Sequence, residues 1–212
     1  MKLTKSCNKT APIVLFFFCL TAQAESLLSP LNSAEKRRVI QYARSVLEAT
    51  VSTCGAADAK ICGRDARTTT PQVNSAAISS GIFVTLVKSN QVRGCYGTLF
   101  PDGRDLYASI HEFVVAAATA DFRHPPVRAS ELKDIVIVIS FIGAIEPVSN
   151  ISEIDPKTDG LLLRSGGHAA VLLPGEARTA SWQIKEAKRQ AGLQANENAE
   201  LYRIHTATLY ER

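Results

Sequence analysis

The sequence lacks the motifs and long apolar segments that mark several functional classes. It contains no CxxC or HExxH motif for zinc and no GxSxG motif for a serine hydrolase. No segment outside the N-terminus approaches the roughly 18 apolar residues of a membrane span. Aromatic residues are only 7% of 212, with one Trp and one Met. The remaining composition is 46% hydrophobic and 21% charged. It excludes collagen, coiled coil and wholesale disorder, and we expect no metal and no cofactor.

The N-terminus has the pattern of a secretory signal peptide. Lys2, Lys5 and Lys9 precede an apolar stretch at 11–20, and Ala22-Gln23-Ala24 provides a small-x-small cleavage site. The alternative is a membrane anchor, but about ten apolar residues are far fewer than the roughly 20 that a spanning helix needs. We therefore expect cleavage after Ala24, a secreted or periplasmic protein, and one domain over 25–212.

Cleavage changes both the charge and the cysteine count. It removes three lysines and no acidic residue, so the net charge falls from +4 to +1. No basic stripe remains for nucleic acid. Cys54, Cys62 and Cys95 are the cysteines left. Cys54 and Cys62 are predicted to form a disulfide that stabilises the fold by about 2–3 kcal/mol, the alternative being two reduced surface thiols. Cys95 is then a free thiol.

Hydrophobic periodicity predicts helices and strands without regular βαβ spacing. Asn32 is a predicted helix N-cap, with Glu35 completing a capping box, and the helix is expected to fray near Thr50 before a long loop at 52–76. The other predicted elements are a hairpin over 81–99, a helix capped by Asp105, a connector Asp121–Pro126, a doubly buried central strand Ile135–Ile142, two short strands at 160–163 and 169–173, a helix Trp182–Gln190 and a final strand Leu201–Tyr210. We predict an α+β fold with a mostly antiparallel sheet flanked by helices.

The most informative segment is Arg93-Gly94-Cys95-Tyr96-Gly97. In a strand, Arg93, Cys95 and Gly97 share one face, and Gly94 and Tyr96 share the other. Two glycines weaken a strand and suit a place where another group approaches the backbone closely. Arg93 would favour the thiolate of Cys95, the reactive form. The alternative is a Cys95 that packs as a small buried hydrophobe, as most free cysteines do.

This segment and its downstream motifs resemble the AMMECR-type domain family. The family hallmark is similar to Leu-Arg-Gly-Cys-Ile-Gly, in which Val92 and Tyr96 here replace Leu and Ile. The resemblance covers about 33–212. Its further motifs, in family order, are the connector residues Asp121, Arg123, Pro125 and Pro126, then Gly160, Gly167, Leu172-Leu173-Pro174, Trp182, Ala191-Gly192-Leu193 and Leu201-Tyr202-Arg203.

The resemblance implies two subdomains with the Arg-Gly-Cys-x-Gly segment near a shared cleft. The chain also resembles the AmmeMemoRadiSam system protein A of this family, and family members in bacteria often accompany Memo-type and radical-SAM proteins. The resemblance does not imply a particular molecular activity. This chain departs from the family pattern in its expected export, in the pair Cys54 and Cys62, and in Tyr96.

Two functional hypotheses follow. One is a cleft enzyme with Cys95 as nucleophile or acid/base thiol, Arg93 as electrostatic partner and His124 as base. His124 has a plainer interpretation as a solvated loop histidine. The other, which we favour because a complete catalytic set is missing, is an accessory module that binds a small molecule or a protein, and not nucleic acid. Its predicted cleft residues are Arg93, Gly94, Cys95, Tyr96, Gly97, Asp121 and Arg123.

Overall fold

The computed structural model describes residues 28, 31–54, 80–101 and 103–211. The predicted signal peptide at 1–24 lies outside these residues, so export stays a prediction. Cys62 also lies outside them, and the predicted disulfide with Cys54 stays a prediction for the same reason.

The first helix, α1 (Ser33–Cys54), begins at the predicted capping box. The Asn32 side chain accepts hydrogen bonds from the amides of Ala34 and Glu35 at 2.9 and 3.0 Å. The Glu35 carboxylate in return accepts the Asn32 amide at 2.7 Å. The predicted fraying near Thr50 is wrong. Thr50 and Val51 are each 2% exposed, and this packing continues the helix to Cys54.

The predicted hairpin forms strands β1 (Ile82–Lys88) and β2 (Gln91–Thr98). Ser89 and Asn90 connect them with φ values of 51° and 60°. Two residues with positive φ form the turn whose twist matches that of paired strands. Helix α2 (Leu106–Thr119) follows, and the Asp105 side chain caps it by accepting two backbone amides.

The remaining elements complete a six-stranded sheet in which every pair is antiparallel. Its order is β2-β1-β3-β6-β4-β5, which confirms the predicted α+β fold with an antiparallel sheet. The elements not yet given are β3 (Ile135–Pro147), β4 (Asp159–Ser165), β5 (His168–Leu172), helix α3 (Ala180–Gln190) and β6 (Glu200–Tyr210).

Within the described residues, the helices α1, α2 and α3 cover one face of this sheet. Leu209 packs in the cluster under α1 and α2, and Leu201 packs in the cluster under α3. These residues are eight apart on β6 and therefore share a face. Ile204 and Tyr202 point the other way, into a third cluster on the inner face. The two expected subdomains are thus two helix-covered halves of one continuous sheet.

The inner face of the sheet closes on itself. Its cluster joins Phe83 and Cys95 near one sheet edge with Val171 and Leu173 at the other. Residues from opposite edges can meet only if the sheet curls strongly. The curl explains a correction in β3, which was expected to be buried on both faces. Residues 139–142 are buried throughout, whereas Val136 is 41% exposed because it lies beyond the closed part of the curl.

Candidate functional site

The glycines of the Arg93–Gly97 segment make room for the protein's own chain. A Cβ atom on Gly94 would lie 2.1 Å from the carbonyl oxygen of Ala117 in α2. A Cβ atom on Gly97 would lie 2.2 Å from the carbonyl oxygen of Ile82 in β1. The close approach predicted from the glycines is therefore real. The groups that approach these glycines are backbone atoms of α2 and β1, and not a ligand.

The Arg93 side chain binds the connector and Glu131, and makes no ion pair with the Cys95 thiol. Its guanidinium binds both carboxylate oxygens of Glu131, with N–O distances of 3.0 and 2.9 Å. It also donates to the carbonyls of Pro125 and Pro126 at 2.9 and 3.2 Å. Hydrogen bonds from Arg93, and then from Lys88, lower the pKa of Glu131 to about 2. This fork-to-fork geometry is the strong form of an ion pair, and it replaces the expected pairing with the thiol.

Asp121 is a buried carboxylate that links the connector to β2. One of its oxygens accepts the backbone amide of Cys95 at 2.8 Å. The same carboxylate binds the Arg123 guanidinium at 2.8 and 3.0 Å and the Arg123 amide at 3.0 Å. Burial raises the pKa of Asp121, but the hydrogen bonds from Arg123 and Cys95 outweigh it and hold the pKa below its ordinary value. Asp121 is therefore a permanent anion at neutral pH.

The Cys95 thiol is not activated. It faces the inner cluster, where its sulfur lies 3.4 Å from the hydroxyl of Thr85. Burial, followed by the nearby charge of Glu176, raises the pKa of the thiol to about 12, and Arg123 only partly opposes this. A thiol with this pKa is protonated at neutral pH and is a poor nucleophile. The plainer interpretation of Cys95, a small packing residue, agrees with this environment.

Glu176 lies close enough to Cys95 and Arg123 for its charge to act on both, although the sequence did not suggest it. It follows β5 after Gly175, which has a φ of 83° and donates its amide to the carbonyl of Pro156 at 2.8 Å. Burial raises the pKa of Glu176 to about 7, against the opposing effect of Arg123. The motif Leu172-Leu173-Pro174 ends two residues before it. Only the curl of the sheet brings this glutamate beside Cys95.

The connector carries an exposed aromatic ring between fixed residues. Phe122 is 89% exposed, whereas its neighbour Asp121 is 7% exposed. His124 donates its backbone amide to the carbonyl of Asp121 at 3.1 Å. Among the described residues, no hydrogen bond joins the His124 ring to Cys95. The proposed catalytic trio of Cys95, Arg93 and His124 is therefore not assembled, while Asp121 and Arg123 of the predicted cleft do meet Cys95.

Cys95 is partly exposed and packs among the side chains of the inner face. A cavity of about 10 Å³, room for about one water molecule, lies elsewhere, between Ser80, Thr98 and Phe113. Within the described residues, no three His, Cys, Asp or Glu side chains are grouped so that they could hold a metal ion. The site is thus a partly buried cluster of the charged residues Asp121, Arg123 and Glu176, next to Cys95 and beneath the exposed Phe122 of the connector.

A model of the AMMECR1 family matches residues 40–210. The chain belongs to the AMMECR1 family. A protein of Thermotoga maritima is 40% identical over 129 residues, which is 59% of this chain and 74% of that protein. A protein of Methanosarcina barkeri is 38% identical over 99 residues, 44% of this chain and only 48% of the relative.

A solved structure supports the AMMECR1 fold. The crystal structure of the uncharacterised protein PH0010 from Pyrococcus horikoshii is similar with a TM-score of 0.60, over 82% of this chain and 90% of that chain. At 22% identity it shows the fold alone. The Arg93–Gly97 and Asp121–Pro126 segments both lie inside the region matched by the AMMECR1 model.

Proposed function

We propose that this AMMECR1-family protein is an exported, non-catalytic module that binds a protein partner through its connector, Asp121–Pro126. The observation that carries the proposal is Phe122, an aromatic side chain that is 89% exposed. Rigid exposed aromatic residues are common anchors of protein interfaces, because their large apolar area is buried at a small cost in conformational entropy.

Hydrogen bonds hold this connector at both ends. Asp121 binds Arg123 and the amide of Cys95 at the first end. Arg93 binds the carbonyls of Pro125 and Pro126 at the other. The two prolines also restrict the backbone dihedral angles. Phe122 is therefore held in solvent by its neighbours, so that a partner need not pay for ordering a loop.

The chemistry of the buried cluster supports binding over thiol catalysis. The raised pKa of Cys95, about 12, leaves almost no thiolate at neutral pH. The donors of Arg93 are directed at Glu131 and the connector. The Arg93 side chain and the backbone amide of Cys95 therefore hold the connector that carries Phe122, which supports a structural role for both residues.

Export is part of the proposal and rests on the signal sequence that ends at Ala24. None of the described helices is long and apolar enough to cross a membrane. The resemblance to the AmmeMemoRadiSam system protein A supports an accessory role, without naming a partner for this exported chain. Mass spectrometry of protein from the extracytoplasmic fraction is expected to show Glu25 as the first residue. An intact Met1 in the cell interior would contradict export.

Site-specific photo-crosslinking tests the binding surface. A photoreactive phenylalanine analogue replaces Phe122 in one protein and Tyr210 in a control, since Tyr210 is also exposed, at 62%. In cells we expect a discrete crosslinked product from position 122 only. Excess wild-type protein must suppress this product in an extract, and excess Phe122→Ala protein must not. Equal products at both positions, or none at 122, would reject the connector as the binding surface.

A further inference from the structure

We draw no further inference here: the strongest candidate, the outer edge of strand β2 between Tyr96 and Thr98, carries no proposal because nothing in the part of the chain that the structure describes shows what covers it.

Discussion

The partly buried carboxyl of Glu176 should make stability depend on pH, and Glu176→Gln should remove that contribution. The pKa of Glu176 is raised from 4.5 to about 7, first by burial. The native protein therefore keeps a proton on this residue between pH 4.5 and 7 that the unfolded chain releases. The favourable contribution of the neutral form is complete below pH 4.5 and is lost as pH rises through 7.

The pKa values set the expected magnitude. The difference of about 2.5 pKa units corresponds to about 3 kcal/mol, at 1.36 kcal/mol for each unit. Glu176 keeps some solvent contact, and screening reduces this value to about 1–3 kcal/mol. Glutamine has a similar shape and cannot ionise. Glu176→Gln should thus gain little relative to the wild type at pH 4.5 and about 1–3 kcal/mol at pH 8.

Urea unfolding followed by circular dichroism between pH 4.5 and 8 measures this difference. All other titrating groups are common to both proteins, so their contributions cancel when the two curves are subtracted. Glu131→Gln is the control, because Glu131 does not contribute to the pKa shift of Glu176. Hydrogen bonds from Arg93 and then Lys88 lower the pKa of Glu131 to about 2, and its substitution should leave the slope between pH 5 and 8 unchanged. Parallel curves for Glu176→Gln and the wild type would refute the assigned environment of Glu176.

Three further predictions test the surrounding framework. Alkylation of Cys95 at pH 8.5 should be about a thousandfold slower in the native protein than in urea. A thiol with a pKa of about 12 has about a thousandfold less thiolate at this pH than one with the ordinary pKa of about 8.5. Similar rates would show an accessible, activated thiol. Gly94→Ala should destabilise by about 1–3 kcal/mol or prevent folding, because its Cβ would lie 2.1 Å from a carbonyl oxygen. Thermal unfolding measures this against Gly167→Ala, which meets nothing within 4 Å, and equal melting temperatures would contradict it. Glu131→Gln should cost about 1–2 kcal/mol at pH 7 by leaving Arg93 without an anion. The loss should shrink as pH falls from 4.5 through 2, where wild-type Glu131 itself becomes protonated, and a loss independent of pH would exclude the ion pair as its cause.

Local interactions explain which parts of the fold could be predicted. The Asn32 capping box and the Asp105 cap join residues two or three positions apart. The Ser89-Asn90 turn likewise depends on the backbone preferences of two residues. The order of helices and strands followed from periodicity for the same reason. The end of α1 was predicted wrongly, because burial of Thr50 and Val51 is a tertiary effect.

In the candidate site, too, some features could be predicted from the sequence and others could not. Motifs in the sequence identified Cys95, Asp121 and Arg123, and the structure brings these residues together. The sequence did not predict the ion pair between Arg93 and Glu131, which lie 38 positions apart in the chain. It also did not predict the exposure of Phe122, since a phenylalanine in a short connector is as readily buried as exposed.

The sequence by itself therefore determined the family, the elements and the segments that carry the site. The tertiary structure alone decided which contacts those residues make. The curl of the sheet places Glu176 near Cys95, where burial raises the pKa of both groups and the charge of Glu176 further raises that of the thiol. The packing of α2 and β1 against β2 takes up the space beside Gly94 and Gly97. Burial and long-range charge depend on residues distant in the chain, and no local pattern records them.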